Sequence, residues 1–155
     1  MKLYKSLVLS VLLYGCETWT LNAELEKRIQ AFENKSHRKI LRISYTERKT
    51  NEWVKQQITA LAGGQQPLLA TVKRRKLAWY GHVSCHDSLS KTILQGTVEG
   101  KRKRGRQRKS WIDNIKEWTD CPADHLIRMA EDRERWRSLV VESSLAPLRP
   151  QSRDQ

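Results

Sequence analysis

The side chains best placed to do chemistry lie in one run. In "EGKRKRGRQRKSWIDN", residues 99–114, seven of the nine residues from Lys101 to Lys109 are Lys or Arg. Clustered cations of this kind neutralise successive phosphates and release their condensed counterions. The candidate contacts are Lys101, Arg102, Lys103, Arg104, Arg106, Arg108 and Lys109. The same cluster also suits a nuclear import signal or a solvated loop, since both need exposed Lys and Arg. A second group stands in "KRRKLAWYGH", where Arg74, Arg75 and Lys76 follow Lys73 and precede Trp79 and Tyr80. Aromatic rings beside cations can stack on bases, although at this spacing both rings read first as core.

Other chemistries find less support. His82-x2-Cys85 and Cys121-x3-His125 supply four zinc ligand types at workable local spacing, with His86 as a spare. Neither half is a Cys-x2-Cys knuckle, and 35 residues separate them. The expectation is therefore no metal, with His82, Cys85, Cys121 and His125 the set to examine if one binds. A two-metal polymerase or nuclease needs clustered carboxylates; the chain has no Asp-Asp pair. It shows no glycine-rich phosphate loop and no serine elbow. No catalytic residue and no cofactor are expected.

The elements that must carry these clusters follow from charge and periodicity. The chain has 155 residues with 30 Lys and Arg against 17 Asp and Glu, a net charge of +13. That charge is uneven: +5 over residues 1–64, +9 over 65–118 and −1 over 119–155. A basic middle between near-neutral ends points to a local contact with a polyanion. Three widely spaced cysteines, Cys16, Cys85 and Cys121, fit a reducing intracellular compartment, nuclear or cytoplasmic. The apolar start "MKLYKSLVLSVLLY" is interrupted by Lys5, lacks a small-x-small cleavage site, and is too short to span a bilayer. It reads as a helix needing burial on several sides, and no membrane partner is expected.

Asn22 can cap a second helix with Leu25, Ile29, Phe32, Ser36, Ile40 and Ile43 at steps of three and four. Thr50 or Asn51 can start a third through Trp53, Val54, Ile58 and Leu61, ended by Gly63-Gly64. Pro67 suits the first turn of a fourth, containing Leu69, Val72, Trp79, Tyr80 and Val83. The pattern then weakens to one turn around Leu89–Leu94. Residues 101–109 contain no apolar side chain and so read as a loop. Trp111, Ile112, Ile115 and Trp118 predict a fifth helix. Pro122 opens a sixth with Leu126, Met129, Ala130, Trp136 and Val140 on one stripe. No strand pattern appears. The expected fold is all-α: a small irregular bundle of about six helices with a long basic loop over 99–110, and a disordered tail over 143–155.

Four fragments in order carry a resemblance: "LYKSLVLSVLLYGCETWTL", "RRKLAWYGHV", "GKRKRGRQRKSW" and "AEDRERWRSLV". They resemble the LLYGxExW, RLxWxGHVxR, RRGRPxxxW and AxDRxxWR motifs in the C-terminal region of the endonuclease–reverse transcriptase of non-LTR (LINE-type) retrotransposons. The likeness runs from Leu3 to Val141. It implies a thumb-like helical remnant over 1–45 and a post-thumb nucleic-acid-binding region over 46–142. The palm, with its Tyr/Phe-x-Asp-Asp box, is not in this sequence. It further implies RNA or DNA as partners, mainly through phosphates, and the missing palm as the surface for the first helix. Trp111, Trp118 and Trp136 would pack the helices that hold the basic loop. Asp132 and Arg133 read as a structural ion pair or a cap, and the motif itself gives no chemistry for them. Two positions depart from the motifs. Cys85 replaces an arginine, and Gln107 replaces the proline that an AT-hook-like Gly-Arg pair would favour for minor-groove entry. The alternatives of another class are a non-functional relic of a decayed element and a zinc-stabilised scaffold.

Overall fold

A computed structural model describes residues 2–86, 88–95 and 109–145. Among them every regular element is helical, as the periodicity predicts, and no residue is in a strand. The chain divides into two compact units, Met1–Arg75 and Lys76–Gln155.

The first unit begins with a π-helical stretch, Tyr4–Leu9, that runs into α1 (Ser10–Leu12). Gly15 ends it at φ 63°, a left-handed conformation that glycine adopts without steric cost. After a 3-10 turn, α2 (Ala23–Ile40) starts where the Asn22 side chain accepts from the Leu25 N–H at 2.8 Å. α3 (Asn51–Ala62) is capped by Thr50, which accepts from the Trp53 N–H at 3.2 Å, and stops at Gly63 with φ 73°. α4 (Leu68–Ser84) begins where Glu33 of α2 accepts from the Leu68 N–H at 2.9 Å. The core gathers Leu13, Leu21, Ile29, Val54, Ile58 and Val72. The buried faces of α2 and α3 are narrower than the apolar stripes suggest, because Leu25, Trp53 and Leu61 stay exposed.

The first helix keeps its apolar surplus outside. Leu3 (74% exposed), Val11 (77%) and Tyr14 (87%) are solvated, together with Leu7 and Val8. Leu13 alone of this run reaches the core, while the Tyr4 ring meets His37 edge-on at 6.3 Å. Leu12, Trp19, Leu21, Leu25, Ile29 and Phe32, with Arg28, line an open groove of about 440 Å³.

The second unit takes the C-terminal half of α4, then α5 (Leu89–Gln95), α6 (Trp111–Thr119), α7 (Ala123–Glu131) and α8 (Arg133–Leu145). Its core is Leu77, Tyr80, Ile115, Leu126, Ala130, Trp136 and Val140. α5 is exposed at Leu89 and Ile93, in keeping with its weak pattern. The single last helix expected from Pro122 onward is in fact two. Asp132 leaves the helical region (φ −87°, ψ 100°), and its Oδ1 accepts from the N–H groups of Glu134 and Arg135 at 3.2 and 3.1 Å. A carboxylate that satisfies two orphan donors favours a cap over helix interior. Asp132 is thus a cap rather than half of an ion pair with Arg133. The break lets Leu126 and Ala130 on one side, and Trp136 and Val140 on the other, enter one core. α8 also runs on to Leu145 with Ser143 and Ser144 buried, so the first three residues of the expected disordered tail are helical. The rest of that tail, and residues 99–108 of the expected basic loop, lie outside the described residues.

Candidate nucleic-acid interface

The basic run ends on a fixed corner. Ser110 precedes α6, its N–H donates to the Asp113 carboxylate at 2.6 Å, and Lys109 forms an ion pair with Glu117. Asp113 also sits in the first turn of α6, where the helix dipole favours a negative charge. Of the seven predicted phosphate contacts, Lys109 is therefore partly committed inside the protein. Lys101, Arg102, Lys103, Arg104, Arg106 and Arg108 fall outside the described residues.

Lys76 contradicts its predicted place in an exposed patch, because it is fully buried. Its ammonium donates to Asn114 Oδ1 at 2.8 Å and lies 4.4 Å from the Trp111 ring centre and 5.5 Å from that of Trp118. Burial pushes its pKa down from 10.5 to about 7, and the neighbouring Lys109 charge adds to the push. The two indole faces and the amide oxygen act in the other direction, since both favour the charged form. A phosphate cannot reach this nitrogen unless the cage opens. Lys73 is buried as well. Arg75 donates to the Leu13 carbonyl at 3.0 Å, which ties α4 to the end of the first helix inside the first unit. Arg74 and Arg75 are the exposed members of the group, Arg75 with this backbone bond.

Trp111, Trp118 and Trp136 do pack the helices, as expected, and Trp136 has a precise seat. Its indole N–H donates to the Leu77 carbonyl at 3.0 Å. A Cβ at Gly81 would stand 2.2 Å from Trp136 Nε1, so only glycine allows this approach. "WYGHV" and "DRERWRS" are therefore two halves of one packing contact. Tyr80 is buried between Trp136 (5.4 Å) and Trp111 (6.3 Å), as the core reading had it. Trp79 is not; it remains half-buried, edge-on to Trp111 at 5.3 Å, outside the core cluster.

His82, Cys85, Cys121 and His125 are not assembled into a site. Cys85 donates to the Ala130 carbonyl, Cys121 donates to that of Thr119, and the His82 and His86 rings meet edge-on at 5.1 Å. Among the described residues no group of three or more His, Cys, Asp or Glu is placed to hold a metal ion. No described helix is long and apolar enough to cross a membrane.

Asn114 escaped the sequence reading, and Lys76 was read as a surface cation, although a signal was present for both. Asn114 sits among Trp111, Ile115 and Trp118 on the apolar face of α6, and Lys76 interrupts the stripe from Leu69 and Val72 to Tyr80 and Val83. A polar side chain at a core position calls for a buried partner, and here the two exceptions satisfy each other.

A transposon-derived protein of Caenorhabditis elegans is 31% identical to this chain over 147 residues, covering 89% of the chain and 52% of the relative. The chain thus spans about half the length of the curated relative it matches. No family model matches the chain, and no solved structure matches it. The likeness is consistent with a transposon-related origin.

Proposed function

We propose that this chain, of transposon-related origin, is a nucleic-acid-binding fragment of a non-LTR retrotransposon reverse transcriptase, without catalysis of its own. The observation that carries the reading is the run of seven cations in nine residues ending on the Lys109–Ser110 corner of α6. A cation-dense stretch tethered at a rigid helix start meets a polyanion with less ordering cost than one tethered to flexible chain. Lys101, Arg102, Lys103, Arg104, Arg106 and Arg108 are the phosphate contacts, with Arg74 and Arg75 as separate surface charges. Lys76 leaves the contact set and becomes a packing residue. The solvated apolar face of the first helix supports a protein surface as second partner, which in the parent enzyme would be the palm.

The test is binding to duplex DNA and to structured RNA across a salt series. The log affinity should fall against log salt with a slope of about −3 to −5. Changing Arg104 and Arg106 together to Ala should flatten that slope by about two and leave sequence preference unchanged, because phosphate contacts position without specifying. An unchanged slope returns the run to an import signal or a solvated segment. Template-dependent primer extension by the purified chain would overturn the non-catalytic part of the reading.

A further inference from the structure

We propose that the first helix pairs antiparallel with the first helix of a second copy of this chain, which makes the first unit a two-fold dimerisation module. The pairing involves that unit alone and stands apart from nucleic-acid binding.

The exposed apolar side chains of this helix form a stripe. Leu3, Leu7, Val11 and Tyr14 follow one another at steps of four, four and three, which share a helix face. Steps of four also suit the wider turn of the π-helical stretch Tyr4–Leu9. All four side chains are in solvent, together with Val8. Leu13 stands two residues beyond Val11, on the far side of a helix, and it is the one that enters the core. The stripe therefore points away from its own unit. Single exposed hydrophobics are ordinary on soluble surfaces, but a contiguous row of this kind marks a contact surface.

Area and charge both select a second copy as the occupant. At their exposures Leu3, Leu7, Val8, Val11 and Tyr14 offer roughly 650 Å². Two such stripes bury roughly 1,300 Å² between them, inside the range of about 1,200–2,000 Å² for stable interfaces. The stripe of another copy matches this one in length and in apolar character. The charges at its ends are complementary under a two-fold rotation. Lys2 and Lys5 stand at the start of the helix, and Glu17 follows its end. Antiparallel pairing brings the lysines of each copy to the Glu17 end of the other, where the helix dipole is also negative. Parallel pairing would set lysine against lysine. Because the contact is isologous, one arrangement satisfies both ends and closes at two copies.

Sedimentation velocity of the full chain, freed of nucleic acid and run over a concentration series, tests the pairing. A monomer–dimer equilibrium is expected, with a dissociation constant on the order of micromolar and no species beyond two copies. Leu7→Glu with Val11→Glu should be monomeric at every concentration, and its melt should match the parent's where the parent is also monomeric. Glu17→Lys alone should weaken pairing several-fold, and adding Lys2→Glu to it should restore most of the loss. That swap keeps the apolar stripe intact, so it separates an ordered antiparallel pair from unspecific adhesion. A parent chain that stays monomeric throughout would overturn the pairing and leave the stripe to a different protein surface, such as the palm. Dimers that persist in Leu7→Glu with Val11→Glu, assembly that grows past two copies, or a charge swap that restores nothing would overturn it as well.

Discussion

The first helix and the Lys76 cage depart from ordinary burial in opposite senses. Leu3, Leu7, Val11 and Tyr14 are apolar and solvated, whereas Lys76 is cationic and fully enclosed. The difference lies in what each neighbourhood offers. The first helix meets its unit through Leu13, Tyr4 and the groove side of Leu12, while Leu3, Leu7, Val8 and Val11 stay in solvent. Lys76 meets two indoles and an amide oxygen within one unit, so its hydration is replaced rather than only removed. Residue type alone predicts neither outcome. The partners within reach decide both.

The heaviest blow to this contrast would fall on the core that holds the cage. Trp136→Ala removes a buried ring together with its indole hydrogen bond to the Leu77 carbonyl, which should cost about 3–5 kcal/mol. Gly81→Ala would gain helix propensity, but its methyl would stand 2.2 Å from Trp136 Nε1, so a net loss of about 1–3 kcal/mol is expected. Urea melts of the two variants measure this. A Gly81→Ala variant as stable as the parent would mean that α8 can slide away from α4 without penalty.

A smaller effect tests the cage itself. Asn114→Leu removes the amide oxygen that accepts from the Lys76 ammonium and should cost about 1–3 kcal/mol. Lys76→Met, which removes the charge and keeps the length, should be neutral or stabilising. The two substitutions therefore separate a satisfied charge from a needed one. They also carry a pH signature. Folding lowers the Lys76 pKa from 10.5 to about 7. Below pH 7 both states hold the proton, and the cost of burying the charge is paid in full. Between pH 7 and 10.5 the unfolded chain holds more protons than the folded one, so stability should rise with pH. Above 10.5 both are neutral and the rise is complete. The difference in melting midpoint between the parent and Lys76→Met should shrink or reverse over that window. A difference constant with pH would show that the indoles and Asn114 hold the pKa near its ordinary value.

The least costly change should be at the first helix. Leu7→Glu with Val11→Glu replaces solvated apolar side chains by good helix formers, so the stability change should stay within about 0.5 kcal/mol. Sedimentation and solubility should improve. Truncation is safe only before Leu13, whose side chain is in the core and whose carbonyl accepts from Arg75. A deletion reaching residue 15 would remove both. If the double variant unfolds the first unit, the exposed face is integral to it and no partner surface is needed.

The amino-acid sequence by itself determined the helical class, most helix boundaries and the concentration of charge. These are local matters. Asn22 and Thr50 cap through N–H groups three residues away, and a left-handed Gly63 stops α3 with no distant help. A cation run lacking apolar residues has nothing to bury. The ordered fragments "RRKLAWYGHV" and "AEDRERWRSLV" were visible too, but not their reason. Only the tertiary structure decided that Gly81 makes room for Trp136, that Lys76 goes inside while Trp79 stays half outside, and that Asp132 divides the last helix. Those outcomes depend on pairs such as Lys76–Asn114 and Leu77–Trp136, separated by 38 and 59 residues. Helical periodicity orders the faces of each element. Which face meets which is set by packing all of them at once, and a buried lysine is tolerated only where that packing supplies its partners.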